Sequence, residues 1–596
     1  MKFWLRWLVL WLFLGAGLRG WFLLSYPEAA NRPEFLSFFY GTINDLQAFF
    51  LVAALAVVPG LFSKRILRLT TAIIVPISLI VFVAEIFFWL EFESRLDRLV
   101  FHYLAYPKEV LVFLQEQFYL TIVILPFALI CWVILRLLDW PAFAEQTRGT
   151  AIAILFVGIC VLLFGGPLGQ SNSRVASEFS SNGYWGVLEA LRYAEDDVPW
   201  MLQAPTQTRH KTKLVAPVPL LESLKSQLGA KRHVVLIIEE SFAGAVWRQG
   251  ELRRKYLPNF VALSKSSVSF TNMFATGSRT TRGMEALVNG FPPLPGISTT
   301  EREGYQHLPS LARGMRDGGF LPVFLYGGWP GFSNFTNYWR HAGFEKTWSR
   351  EDFDEDFETS WGVSDGALFD RLLKEMKNLT AEHEQVFLAT LTVSHHRPFT
   401  YPSGVIPFPA EERRSEYAMA YADNALGKFF ARAKDEDWYA DTLFILVADH
   451  GPYPRGDALI PVDSFRIPML FHGKDITPRE LSGLSSSMSL AKTLMSVFDI
   501  DTKEVFSGEN LLCNCDTVVP VEYAYHVGLL EREQLLVMRR DGVPLEWYYD
   551  VERNELTSGK RKSPTADAME AKLRQLFGDA FQWFYAGTNR AFNRDE

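Results

Sequence analysis

At 596 residues the chain is longer than one ordinary domain, and 49% hydrophobic content with 17 Trp and 48 Phe is rich for a wholly soluble protein. A formal net charge of −8 argues against nucleic acid as a partner. Most of the apolar excess lies in the first 168 residues.

Five apolar runs of bilayer-spanning length are read there, at 4–26, 37–62, 70–91, 118–138 and 150–168. The first carries Arg6 and Arg19 and lacks a small-residue cleavage site followed by polar sequence, so it reads as an uncleaved span rather than a signal peptide. Lys2 and Arg6 precede or open the first run, Lys64, Arg65 and Arg68 separate the second from the third, and Arg136 and Arg148 flank the connection between the last two. Placing all three basic groups in the cytoplasm puts the N-terminus there, and five crossings deliver everything after about 170 to the outer side, periplasmic or extracellular. The loop at 92–117 mixes charges with aromatics at helical spacing, which suits a helix lying at the interface or a plain connecting helix. Cys131 and Cys160 fall within spans and read as apolar buried thiols.

After this transmembrane domain (1–168), residues 169–230 turn polar and end in a Pro-containing juxtamembrane linker. From 231 to 510, short apolar runs alternate with helix-period segments, the pattern of an α/β fold with a largely parallel sheet. The clearest strands are "HVVLIIEES" (233–241), "LPVFLYGG" (321–328), "QVFLATLTVS" (385–394) and "DTLFILVADH" (441–450), and "SEYAMAYADNALGKFFARA" (415–433) reads as a helix. Residues 511–596 read as a small strand-rich subdomain with a closing amphipathic helix. Cys513 and Cys515 in "LLCNCD" are too close in sequence for an easy mutual disulfide, although the spacing does not exclude one, and they lack the other half of a zinc site.

Each of the four strands runs into polar or Gly-rich sequence, and open α/β sheets bind ligands at the carboxyl edge of their strands. A common rim would therefore collect Glu240, His396, Asp449 and His450. Two carboxylates and an imidazole make a site for a divalent cation with a coordination position left open. "TRGMEALVN" reads as a helix closed by Gly290, which places Thr280 and Thr281 at its N-terminus as nucleophiles or as ordinary caps.

The motifs "IIEESF", "GSRTTRGMEA", "YGGWPGFSNFTNYW", "WGVSDGALFD", "LTVSHHRPFTYP" and "VADHGP", in this order, resemble the membrane-anchored, sulfatase-fold phosphoglycerol transferases of the lipoteichoic acid synthase type and the osmoregulated periplasmic glucan phosphoglycerol transferases. The resemblance implies an alkaline-phosphatase/sulfatase-like α/β domain exported behind a five-span helical anchor. It makes Glu240, Thr280, Asp449 and His450 the ligands of a divalent metal, most often Mn²⁺ with Mg²⁺ or Zn²⁺ as alternatives, and Thr280 the nucleophile with Thr281 beside it as the fallback. It further implies substrate contacts from His396, Arg397, Ser333 and Asn334. This sequence departs from lipoteichoic acid synthases after the second strand, where Tyr326, Gly328, Ser333 and Phe335 replace a His, an Asp, a Trp and an Arg; the headgroup pocket is therefore altered, and Arg279, Arg282 and Arg397 read either as replacement positive charge or as solvated surface residues.

The expected function is transfer of a phosphoglycerol headgroup from phosphatidylglycerol to an envelope glycan or glycerol-phosphate acceptor. The alternatives are phosphoethanolamine transfer and phosphodiester or sulfate-ester hydrolysis. Thr at the nucleophile position disfavours the sulfatase, and retention of all four ligand types disfavours a catalytically idle scaffold.

Overall fold

The computed structural model describes residues 2–25, 35–92, 120–137, 148–169, 171–192, 201, 219–242, 250–354, 357–452, 457–513, 517–550, 555–558 and 565–587, with isolated positions at 94–115 and 553. Most of the 92–117 loop thus lies outside the described residues, as does Cys515. The chain divides into two compact units, residues 1–195 with 455–459 and residues 196–454 with 460–596.

The first unit is helical, with α1 (Lys2–Ser25), α2 (Phe35–Gly60), α3 (Lys64–Phe92), α4 (Leu120–Leu137) and α5 (Arg148–Phe164), followed by the short α6 (Arg174–Ser180) and α7 (Gly183–Arg192). Among the described residues, three helices are long and apolar enough to cross a membrane, over Lys2–Ser25, Leu36–Pro59 and Arg65–Phe92. Trp7 and Trp11 pack edge-on to one another and to Phe49 of α2. About two turns beyond this aromatic stripe, Arg19 is buried and ion-paired with Asp45, and it donates to Gly41 O at 2.8 Å and Phe179 O at 2.9 Å. A charge in so apolar a setting persists only when paired and hydrogen-bonded. Asn44 meets the same requirement by donating to Ser180 O at 2.7 Å and Leu168 O at 3.0 Å, which holds α6 against α2. Cys131 and Cys160 are free thiols, and Cys513 in the second unit is disulfide-bonded.

The second unit is built on a nine-stranded sheet of β1 (His233–Glu239), β2 (Ser267–Phe274), β3 (Leu321–Tyr326), β4 (Lys346–Trp348), β5 (Val386–Leu391), β6 (Thr442–Ala448), β7 (Arg466–His472), β8 (Arg479–Leu481) and β9 (Ser485–Ser486). Its order is β8-β2-β7-β6-β1-β5-β3-β4, with β9 also on β2. The block β6-β1-β5-β3-β4 is parallel, and β7 runs antiparallel to both neighbours. Strands β1, β5 and β6 are buried along their whole length, as their unbroken runs of Val, Ile, Leu and Phe require when helices cover both faces. Covering helices include α8 (Thr280–Leu287), α9 (Phe335–Ala342), α10 (Asp365–Glu382) and α11 (Ser415–Ala433). The four strands read from sequence are adjacent in the sheet and point the same way, so their carboxyl ends share one edge.

A five-stranded antiparallel sheet follows, β10 (Val518–Tyr523), β11 (His526–Glu531), β12 (Gln534–Met538), β13 (Pro544–Asp550) and β14 (Glu555–Ser558), and α12 (Ala566–Gly587) closes the unit. Leu573, Phe577, Phe581 and Phe584 of α12 pack on Val527, Leu529, Leu536 and Met538.

A candidate metal and nucleophile site at the sheet edge

Glu240 follows the last residue of β1, and Asp449 and His450 follow β6, the strand beside it. The register pairs Glu239 with Ala448, so the next residues on each strand arrive together. One ligand atom from each of Glu240, Asp449 and His450 lies within 4.8 Å of the others, and all three residues are buried. His450 Nε2 is 3.6 Å from Glu240 Oε1 and 3.5 Å from Asp449 Oδ2. His450 Nδ1 faces Gly451 O at 2.7 Å, and a carbonyl only accepts, so Nδ1 carries the proton and Nε2 turns its lone pair toward the carboxylates.

Asp449 shows what the cluster is built to hold. Its Oδ1 accepts from the Ser241 and His450 backbone N–H groups, both at 2.8 Å, while the buried Oδ2 has no hydrogen-bond partner. An orphaned carboxylate oxygen, a lone pair on His450 and Glu240 converging on one point form a donor set of the type that takes a divalent cation. Electrostatics agree. Burial, followed by the adjacent Glu240 charge, pushes the Asp449 carboxyl up to about 7. Burial also works against Glu240, but His396, His450 and the Ser241 hydroxyl outweigh it and hold that carboxyl below its ordinary range.

Thr280 is the first residue of α8, and its hydroxyl donates to Glu240 Oε2 at 3.2 Å. The N-cap is Arg279, in extended backbone, so Thr280 is not the cap. Thr281 is buried, and its carbonyl accepts from Ser298 Oγ at 3.4 Å. The helix approaches the ligand strand closely because of Gly283, where a Cβ would lie 2.7 Å from both Cβ and O of Asp449. At its far end Gly290 takes a positive φ of 51°, the left-handed conformation that ends the helix.

His396 stands beyond β5 with its ring 3.9 Å from Trp361, and its Nδ1 faces Arg397 O at 2.9 Å. It follows β5, which runs parallel beside β1, and so lies at the same edge of the sheet as Glu240. The Arg397 guanidinium lies over the Phe399 ring. Ser333 and Asn334 sit at positive φ of 50° and 61° before α9. Ser333 is buried and hydrogen-bonded to Glu301, and Asn334 Oδ1 accepts from Asn337, so the described bonds of these two residues do not join them to the metal-binding group.

Arg282 differs from the expectation of a headgroup cation. It is buried, 2.8 Å from Glu285 Oε2 and 3.3 Å from Glu522 Oε2, and its charge is spent inside the protein. Three contributors escaped the sequence reading. Ser241 donates to Glu240 Oε1 at 2.6 Å, Thr392 Oγ1 accepts the Glu240 N–H at 2.9 Å, and Trp361 Nε1 donates to Arg397 O at 2.5 Å. All three lie inside the quoted motifs, but their side-chain directions are set by the fold.

Residues 232–500 match the sulfatase family. A phosphoglycerol transferase I of Xanthomonas euvesicatoria pv. vesicatoria is 25% identical over 301 residues, 45% of this chain and 42% of that protein. A lipoteichoic acid synthase-like protein of Bacillus subtilis, YvgJ, is 22% identical over 317 residues, 48% of this chain and 51% of that one. The chain thus spans about half the length of the curated relatives it matches. Among solved structures, a protein in the alkaline phosphatase superfamily from Vibrio parahaemolyticus superposes with a TM-score of 0.56 at 27% identity, covering 67% of this chain and 98% of that one. The lipoteichoic acid synthase LtaP of Listeria monocytogenes gives a TM-score of 0.51 at 18% identity over 61% and 98% of the two chains, a likeness of fold. With the sheet order and the edge cluster described above, these matches identify residues 232–500 as a sulfatase-fold domain.

Proposed function

We propose that the protein is a membrane-anchored, metal-dependent phosphoglycerol transferase that uses Thr280 as its nucleophile. The observation that carries this reading is the Thr280 hydroxyl directed at Glu240 within the buried Glu240, Asp449 and His450 group. Phosphatidylglycerol is the donor. The Thr280 hydroxyl passes its proton to Glu240 Oε2, to which it already donates, as a new bond forms between Thr280 Oγ and phosphorus; the bond from phosphorus to the diacylglycerol oxygen breaks, and diacylglycerol leaves with a proton supplied from the His396 side of the site. A hydroxyl of an envelope glycan or of a glycerol-phosphate chain then takes the phosphoglycerol and releases Thr280. Glu240, Asp449, His450 and Thr280 would hold the cation, Mn²⁺ in preference to Mg²⁺ or Zn²⁺, whose chemistry is to lower the pKa of the threonine hydroxyl and neutralise phosphoryl oxygens. Arg397 and His396 bind the phosphate, and Trp361 holds the His396 ring by packing against it at a tilt.

In the same reading the first 168 residues cross the membrane five times from a cytoplasmic N-terminus, 169–230 link them to the exported catalytic domain at 231–510, and 511–596 form an appended subdomain. Anchoring keeps the site beside a lipid donor that does not diffuse into water, which raises its effective concentration.

The test is diacylglycerol release by purified full-length protein with Mn²⁺ in liposomes of phosphatidylglycerol or of phosphatidylethanolamine. Release from phosphatidylglycerol, lost on chelation and in Thr280→Ala but retained in Thr281→Ala, is expected. Release from phosphatidylethanolamine alone would move the donor assignment to phosphoethanolamine, and release from neither would sink the lipid-donor reading.

A further inference from the structure

Tyr326 ends β3, two strands away from β1 across the sheet. The register sets Tyr326 beside Leu391, Leu391 beside Ile238, and Ile238 beside Val447. Side chains alternate along each strand, so Tyr326 shares a face with the residues two positions beyond Ile238 and Val447, which are Glu240 and Asp449. On its own strand the equivalent position is Gly328, which has no side chain to occupy that row. A Cβ there would lie 2.4 Å from both Cζ and Oη of Tyr326, so the phenol lies along the Gly328 backbone and reaches up to the level of the ligand carboxylates. Phe335 holds the ring edge-on, with centroids 5.6 Å apart.

Tyr326 is 6% exposed, yet among the described residues its hydroxyl has no hydrogen-bond partner. A buried phenol ordinarily finds one. A phenol is neutral at neutral pH, and burial raises its pKa further, so the group acts as a donor rather than a base. Its proton therefore waits for an acceptor that arrives from outside the chain.

We propose that Tyr326 contacts the substrate, donating its hydroxyl hydrogen bond to a non-bridging phosphate oxygen of the phosphodiester bound at the Glu240, Asp449 and His450 group. The inference rests on the phosphoryl-transfer reading above and adds to it a donor for the phosphate at a position where this chain departs from the lipoteichoic acid synthases.

The experiment compares full-length wild type with Tyr326→Phe, both loaded with Mn²⁺ in detergent. Calorimetry measures binding of inorganic phosphate and of glycerol 1-phosphate, and a parallel assay measures diacylglycerol release from phosphatidylglycerol. Loss of a hydrogen bond to a charged acceptor predicts roughly 10- to 100-fold weaker phosphate and glycerol phosphate binding. kcat/KM for the lipid should fall by a similar factor, with the thermal midpoint and the Mn²⁺ affinity unchanged. Equal phosphate affinity in the two proteins would overturn the proposal. So would a matching loss of Mn²⁺ affinity, which would make the hydroxyl a support for the metal ligands, and so would a wild type that binds neither phosphate nor glycerol phosphate. If wild type binds phosphate through Tyr326 yet releases no diacylglycerol, the contact stands and the lipid-donor reading falls.

Discussion

Arg282 of α8, the helix that Thr280 opens, and Glu522 of the C-terminal sheet meet in the interior, Nε to Oε2 at 3.3 Å. The Glu522 N–H also donates to Thr276 O at 2.8 Å, at the entrance to the turn that leads into α8. Glu285 completes the arrangement, bonding Arg282 at 2.8 Å and accepting from Ser298 Oγ at 2.9 Å and Thr299 Oγ1 at 2.6 Å. The strand-rich subdomain is thereby an integral support of the helix that carries Thr280.

Removing the cation from this group leaves two buried carboxylates uncompensated. Arg282→Met is therefore expected to destabilise the second unit by about 3–5 kcal/mol. Glu522→Gln, which leaves Glu285 paired with the guanidinium, should cost clearly less. Thermal unfolding of the two full-length variants in detergent checks the order, and equal midpoints would contradict it.

Gly283→Ala tests how closely α8 lies against Asp449 and, on the proposed reading, against the metal site. Alanine is the better helix former by about 1 kcal/mol, so on propensity alone the change would stabilise. The new methyl would nevertheless press on Asp449 at 2.7 Å, and relief requires Asp449 or the helix to shift. Overpacking of this kind costs roughly 1–3 kcal/mol, and a displaced ligand is expected to weaken Mn²⁺ binding at least tenfold. Metal titration by calorimetry measures it; unchanged affinity would show that the contact relaxes without moving the ligand.

Cation binding should depend on pH through Asp449. Its carboxyl is raised to about 7, by burial and then by Glu240, so below that pH a proton must leave before a cation enters. Mn²⁺ affinity is expected to fall about tenfold per pH unit below 7 and to level off above it. The sign for folding is the reverse. A carboxyl whose folded pKa is raised favours the fold at low pH, and its contribution is lost as pH rises from the ordinary carboxylate range through about 7. Thermal midpoints taken across this window should show the metal-free protein losing that contribution while the Mn²⁺-loaded protein does not.

Much of this site was legible because its parts are local. Strands buried in the interior must be near-continuous apolar runs, so β1, β5 and β6, buried throughout, and β3, buried but for its first residue, stand out in the chain with the polar residues at their ends. Helix α11 was visible from its period, over the same Ser415–Ala433 span that the structure shows. What separates Thr280 from Thr281 was not visible, since the two differ only in which way a helix starting at Thr280 turns them. The role of Arg282 was misread because its partner Glu522 lies on a sheet that folds back from the far end of the chain. Ser241 likewise depends on a positive φ of 49°, a conformation in which a serine can bond both neighbouring ligands and which no pattern of hydrophobicity encodes.

The ion pair of Arg19 with Asp45 bears on how the protein is made. On the membrane-anchored reading, an arginine deep in the first apolar segment is poorly tolerated by lipid until Asp45 and the Gly41 carbonyl of the second segment are beside it. The two segments are therefore an insertion unit that enters the bilayer as a helical hairpin. A shortened protein that starts after the first helix would leave Asp45 stranded in hydrocarbon, so the two helices must be kept or discarded together when the anchor is trimmed.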